Sequence, residues 1–280
     1  MASFTEKLTR SWALNQSMLT LGLDPDPSRF PAHLSTHPTP LYEFCRQMVD
    51  VCAPYTCAFK PQIAYFSSAA AEEQLQALCA YIKKNYPQHL LVLDAKRGDI
   101  GTTAEHYARE AFERYQADAV TINPYMGYDS AAPFLEWRQK GVFILCRTSN
   151  PGGSDLQFLN LADGTPLYLH VARMIAERWN EHQQCGLVVG ATYPNEIARI
   201  RSEVGDMPLL IPGIGAQGGD IKATVSAGKD SQQQGMLINS ARAILYASAG
   251  EDWRQAAQKV AQQTHDTIQQ ALVSITGSAK

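Results

Sequence analysis

Eight short apolar runs alternating with helical stretches predict an α/β fold, a (β/α)8 TIM barrel forming a single domain over residues 1–280. Three observations carry this expectation. The runs number eight, which favours closure over an open sheet. They are apolar on both faces, as parallel strands covered by helices must be. No linker, low-complexity tract or internal repeat of about 20–50 residues interrupts them.

In order, the first run, 19–23, leads into the turn Asp24-Pro25-Asp26-Pro27. Residues 56–59 lead to Lys60, and residues 90–93 lead to Asp94 and Lys96. Run 119–122 precedes Asn123, run 142–146 precedes Ser149, and run 187–189 precedes Thr192. The seventh, 209–211, opens onto a glycine-rich segment containing Gln217, and the eighth, 236–238, precedes Arg242. The clearest helix is the last, where Trp253, Ala256, Ala257, Val260, Ala261, Thr264, Ile268, Ala271, Leu272 and Ile275 trace one stripe at helical spacing. Residues 150–165 hold Pro151, Gly152, Gly153, Ser154, Asp163 and Gly164, and are expected to form an irregular, lid-like loop after the fifth strand.

Composition narrows the function. With 45% hydrophobic and 18% charged residues the chain is globular and can bury a large core. Its net charge of −3 lacks the basic excess with which nucleic-acid binders track phosphates, so no nucleic-acid partner is expected. No run approaches the roughly 18 apolar residues of a membrane helix. The charged N-terminal segment with Glu6, Lys7 and Arg10 does not read as an export signal. A soluble, cytoplasmic protein with no membrane partner is expected. The six cysteines form no Cys-x-x-Cys pair and mostly sit in apolar runs, so they read as buried free thiols.

In a TIM barrel the chemistry sits where the strands end. Strand alternation places Asp94 and Lys96 on one face, pointing into the barrel mouth, and Lys60 on the neighbouring strand reaches the same region. A carboxylate between two ammonium groups keeps all three ionised, which suits a reaction that creates or moves negative charge; a structural ion pair closing the barrel top is the competing reading. The segment 213–218 is a literal G-x-G-x-x-G after a strand. It follows the seventh strand instead of opening a βαβ unit, so it fits the phosphate site that barrels build after strands seven and eight better than a dinucleotide fingerprint. Arg242 then supplies a guanidinium for phosphate oxygens. Asp24 and Asp26 could bind sugar hydroxyls, hold a divalent metal or shape a proline turn. None of the seven histidines ends a strand, and no His-Glu-x-x-His occurs.

These motifs together resemble the orotidine 5′-phosphate decarboxylase family, in its longer bacterial-type branch. The similarity runs through Leu21-Gly22-Leu23-Asp24-Pro25, Phe59-Lys60-Pro61-Gln62, the Asp94-x-Lys96-x-x-Asp99-Ile100-x-x-Thr103 element, Asn123-Pro124-Tyr125-Met126-Gly127, Arg147-Thr148-Ser149-Asn150-Pro151-Gly152, the 212–219 glycine segment and Arg242. The resemblance implies a homodimer that converts orotidine 5′-phosphate to UMP and CO2, the last step of de novo pyrimidine synthesis, with no cofactor and no metal. It implies that Lys96 donates a proton to C6 of the pyrimidine, with Lys60, Asp94 and Asp99 completing an alternating array. Asp99, Ile100 and Thr103 are implied to reach the neighbouring subunit's site, making each site composite. Substrate-binding roles fall to Asp24 (ribose), Ser149 (pyrimidine) and Asn123, and phosphate-binding roles to Gly215, Gln217, Gly218, Ala241 and Arg242. The 150–165 insertion and Arg97-Gly98 depart from the shorter members.

Three alternatives remain beside it. They are a β-keto acid sugar-phosphate decarboxylase on the same barrel, an aldolase forming a Schiff base on Lys60 or Lys96, and a non-catalytic nucleotide-binding barrel. An aldolase needs a neutral lysine and is trapped by borohydride, and a sensor binds UMP without turnover and has no need of the charged array.

Overall fold

Polar residues stand inside otherwise apolar strands, and they show which end of the barrel does chemistry. The structure, a computed structural model, describes residues 2–34, 36–214 and 220–277. Among the described residues eight strands pair in parallel and close into a barrel in chain order: β1 (Leu19–Leu23), β2 (Ala58–Pro61), β3 (Leu90–Arg97), β4 (Ala119–Ile122), β5 (Gly141–Arg147), β6 (Cys185–Val189), β7 (Leu209–Pro212) and β8 (Met236–Ser240). Leu19 opposite Ile238 joins the last strand to the first. Every residue of β1, β2, β4, β6 and β8 is buried, as expected for strands walled by helices on the outside and packed side chains within. That burial includes Lys60, Thr121, Asn239 and Ser240.

The helices are α1 (Phe4–Asn15), α2 (Pro40–Cys52), α3 (Ile63–Ser67), α4 (Glu72–Asn85), α5 (Gly101–Arg109), α6 (Tyr128–Leu135), α7 (Ser154–Gln157), α8 (Leu167–Met174), α9 (Pro194–Val204), α10 (Ile221–Gly228), α11 (Arg242–Leu245) and α12 (Trp253–Gly277). On α2, Leu41, Phe44, Cys45, Met48, Val49 and Cys52 recur every three or four positions and are all buried. Each large apolar side chain of that stripe contributes roughly 1.5–3 kcal/mol. The stripe foreseen on the last helix is α12, whose Trp253, Ala257, Ala261, Ile268 and Ala271 are buried. All six cysteines are buried and unpaired, and burial pushes Cys52, Cys57, Cys79, Cys146 and Cys185 up to about 12, so they stay as inert thiols.

Three features differ from the sequence-based expectation. First, α1 precedes the barrel: Ser3 and Glu6 form a reciprocal capping box, and Phe4 packs edge-on against Phe143 at 5.9 Å. Gly141 makes room for it, since a Cβ there stands 2.4 Å from the Phe4 ring. Second, several strands run past their apolar cores. β2 contains Lys60 and β3 continues through Asp94 and Lys96, because inward-facing polar residues continue the ladder at the mouth. Third, the 150–165 segment is not irregular throughout. It holds a 3-10 turn (Pro151–Gly153), α7 and a bridge between Asn160 and Pro166. The Pro151-Gly152-Gly153 turn folds Gln157 back, so that its amide donates to Thr148 Oγ1 at 2.8 Å and accepts from Thr148 N at 3.0 Å.

Candidate active site

At the C-terminal ends of β1, β2, β3, β7 and β8 lies a cavity of about 300 Å³, lined by Asp24, Lys60, Gln62, Tyr65, Asp94, Lys96, Pro212, Gly213, Ile214, Asn239, Ala241 and Arg242. Register builds it: Gly22 pairs with Lys60, Gln62 bridges to Asp94, and Pro212 pairs with Asn239. Gly22 has no side chain because the Ala241 methyl occupies that space, 2.7 Å from where a Cβ would stand.

Asp94 is the hub. Lys60 Nζ donates to its Oδ2 at 2.7 Å, Lys96 Nζ to its Oδ1 at 2.5 Å, and Thr121 Oγ1 to Oδ1 at 2.9 Å. Thr121 in turn accepts from the backbone N–H groups of Ala95 and Lys96, both at 3.0 Å. Lys96 adopts the left-handed region (φ 47°) beside a register shift between Leu93 and Arg97. Simple alternation therefore gave the right neighbours for an incomplete reason, because a bulge held by Thr121 turns Lys96 toward Asp94. Such a conformation costs a non-glycine residue about 1–3 kcal/mol and persists where surrounding bonds over-determine it. The two lysines are unequal: the Lys60 side chain is 5% exposed and that of Lys96 44%.

Burial alone raises the Asp94 carboxyl, but Lys60 and Lys96 outweigh it and hold its pKa well below the usual carboxylate range. Burial lowers the Lys60 ammonium, and Asp94 and Asp24 outweigh that and hold it above the usual lysine value. A lysine so held is a poor Schiff-base nucleophile. The signs fix the stability window. The Asp94 contribution is present above its unfolded pKa near 3.9 and is lost as pH falls further; the Lys60 contribution is present below about 10.4 and is lost as pH rises past its elevated value. Asp24 behaves oppositely. Burial raises its pKa against the opposing pull of Lys60, and its Oδ1 is buried with no hydrogen-bond partner among the described residues. Asn239 Oδ1 is likewise buried and unpartnered. Two orphan acceptors in one cavity ask for hydroxyl or amide donors from a ligand.

The other expected site residues fall in several places. Ala241 and Arg242 line the cavity, with Arg242 at its exposed rim. Gly215, Gln217 and Gly218 lie outside the described residues. Ser149 follows β5 by two residues and packs on Gly190, where a Cβ would stand 2.7 Å from that of Ser149. Asp99, Ile100 and Thr103 stand outside the cavity at the start of α5, with Ile100 53% exposed. Asn123 also lies outside it; its Oδ1 accepts from Tyr125 N, and it borders a separate pocket of about 620 Å³ with Tyr125, Leu156 and Tyr168. Asp26 does not pair with Asp24 as a metal site, because its carboxylate caps the turn at Ser28 N and Ser28 Oγ. Among the described residues no group of three His, Cys, Asp or Glu side chains could hold a metal ion. Sequence reasoning missed Thr121, Asn239, Gln62 and Tyr65 as parts of the site. Thr121 and Asn239 carried a signal, being polar residues within barrel strands.

Comparison with known proteins gives the family and supports the barrel fold. Residues 17–260 match the model of the orotidine 5′-phosphate decarboxylase / HUMPS family. The orotidine 5′-phosphate decarboxylase of Bordetella avium is 64% identical over 267 residues, covering 95% of this chain and 98% of that one. The structure of Leishmania donovani OMP decarboxylase superposes with a TM-score of 0.80 at 36% identity, covering 95% of this chain and 99% of that one. Leishmania donovani UMP synthase gives a TM-score of 0.83 at 37% identity, covering 96% of this chain; this chain spans 57% of its length.

Proposed function

The chain belongs to the orotidine 5′-phosphate decarboxylase / HUMPS family, and from that premise we propose how its residues convert orotidine 5′-phosphate to UMP and CO2. The chain is an orotidine 5′-phosphate decarboxylase, the enzyme of the last step of pyrimidine nucleotide synthesis. The observation that carries the residue roles is the Lys60–Asp94–Lys96 array inside the barrel mouth.

The bond from C6 to the carboxylate breaks, CO2 leaves, and the electron pair stays on C6. Lys96 Nζ stabilises that charge and gives C6 a proton, and solvent reprotonates the lysine. Two unit charges about 4 Å apart interact by about 4 kcal/mol at an effective dielectric near 20. Lys96 therefore favours the carbanion, while Asp94 disfavours the substrate carboxylate beside it. Only the difference between ground and transition state accelerates the step. Lys60 keeps Asp94 ionised. No cofactor or metal is assigned a part.

Asp24 accepts from the ribose hydroxyls, which its orphan Oδ1 supports. Ser149 contributes to pyrimidine binding, and Gly215, Gln217, Gly218, Ala241 and Arg242 hold the phosphate. The phosphate grip draws the 150–165 segment over the site, so remote binding energy organises the reacting end. A homodimer completes each site with Asp99, Ile100 and Thr103 of its neighbour. The exposure of Ile100, Tyr125 (82%), Met126 and Tyr128 beside the ends of β3 and β4 supports such a contact. Free buried thiols support a cytoplasmic site of action.

Arg242→Ala tests the assignment of the two ends of the substrate. Loss of a charge-assisted contact to the phosphate is expected to raise KM by roughly 10- to 100-fold, with a smaller fall in kcat. The measurement is the ultraviolet decay of orotidine 5′-phosphate in chelator-treated buffer; an unchanged KM contradicts the phosphate site.

A further inference from the structure

We propose that Tyr246 is a positioning residue that fixes Asp24 for the ligand's sugar hydroxyls by clamping the backbone of the turn that follows β1. This rests on the reading of Asp24 as a sugar-hydroxyl acceptor. Tyr246 is not among the cavity-lining residues; it follows α11, four positions after Arg242. Its hydroxyl donates to the Asp24 carbonyl oxygen at 2.7 Å and accepts from Asp26 N at 2.6 Å. A hydroxyl that donates and accepts at once links both ends of the turn through one atom.

The sequence of the turn explains why it needs a clamp. Pro25 and Pro27 lack N–H groups, so Asp26 supplies the one amide hydrogen between Asp24 and Ser28, and Tyr246 takes it. The Tyr246 ring is fixed independently. It stacks on Phe44 at 5.9 Å and 13°, and the Arg29 guanidinium lies 3.9 Å from its centroid. Arg29 belongs to the 3-10 turn that Asp26 caps, so ring and hydroxyl hold the same segment. Asp24 needs such support because its buried Oδ1, among the described residues, has no hydrogen bond to hold it in place until a ligand donates to it. Tyr246 N also donates to Arg242 O at 3.2 Å, which joins the clamp to the helix carrying the phosphate ligand.

Tyr246→Phe removes the hydroxyl and keeps the stacked ring. UMP affinity is expected to fall about fivefold to tenfold, KM for orotidine 5′-phosphate to rise by the same factor, and kcat to stay within about threefold. The thermal transition, read beside it, reports that the variant is folded. A double-mutant cycle on UMP affinity separates positioning from general support. Combined with Asp24→Asn, Tyr246→Phe adds less than about twofold; combined with Arg242→Ala, its factor multiplies in full. Unchanged UMP affinity in Tyr246→Phe, or full multiplication with Asp24→Asn, overturns the proposal. If Asp24→Asn itself leaves UMP affinity unchanged while Arg242→Ala weakens it, the reading of Asp24 fails and takes the clamp with it.

Discussion

Replacing Lys96 with alanine leaves a folded barrel that binds UMP and no longer decarboxylates orotidine 5′-phosphate. The Lys96 side chain is 44% exposed, so truncating it removes little packing. Asp94 keeps Lys60 and Thr121 as hydrogen-bond partners. The stability cost is therefore about 1 kcal/mol or less. The loss in rate is large because two effects vanish together. General acid catalysis contributes about 10²–10⁴-fold, and a charge placed against the developing carbanion about 10²–10³-fold more. A fall in kcat of at least about 10⁴-fold is expected, with UMP affinity within about tenfold of the parent. Single-turnover absorbance decay and a UMP titration check both halves, and near-parental turnover removes Lys96 from the chemistry.

Asp94→Asn strikes stability and activity together. It leaves the Lys60 ammonium buried in the barrel without its ionised partner, with the more distant pull of the Asp24 carboxylate as partial compensation. Breaking one half of a buried pair costs about 3–5 kcal/mol. By the usual scaling this lowers the melting temperature by about 10 °C. The acid limb changes as well: the parent loses the Asp94 contribution as pH falls below about 4, whereas the variant has none to lose and shows a shallower decline between pH 5 and pH 2. Replacing both partners, as Lys60→Met with Asp94→Leu, is expected to recover much of the stability and none of the activity. Urea unfolding across pH, alongside turnover, checks all three. A double variant as unstable as Asp94→Asn contradicts the account of the pair.

The barrel was legible because parallel strands buried on both faces write themselves as apolar runs: seven of the eight runs lie within strands, and the run 56–59 overlaps β2 from Ala58 on. Strand ends were less legible for the same reason. A run ends, by the apolar criterion, at its first polar residue, yet Lys60, Asp94 and Asn239 are strand residues whose side chains turn into the mouth. Helix α1 was not foreseen: its Ser3–Glu6 capping box is seen in the structure, and its apolar positions are too few to stand out beside the strands. Convergence of Lys60, Asp94 and Lys96 followed from strand order; the part of Thr121 did not, since its hydroxyl matters only once β4 lies against the bulged end of β3. Asp99 shows a different limit. Its side chain accepts from Ile100 N outside the cavity of its own chain, so the role proposed for it rests on an assembly that one chain does not contain.

A crystal structure of the protein with UMP tests the central claim most directly. C6 of the pyrimidine is predicted to lie about 3.5 Å from Lys96 Nζ, with the ribose hydroxyls on Asp24, the phosphate at Arg242 and a second subunit's Asp99 beside the ring. UMP seated in the apolar pocket bordered by Tyr125 and Leu156, or with its phosphate against Lys96 and its base at Arg242, contradicts it.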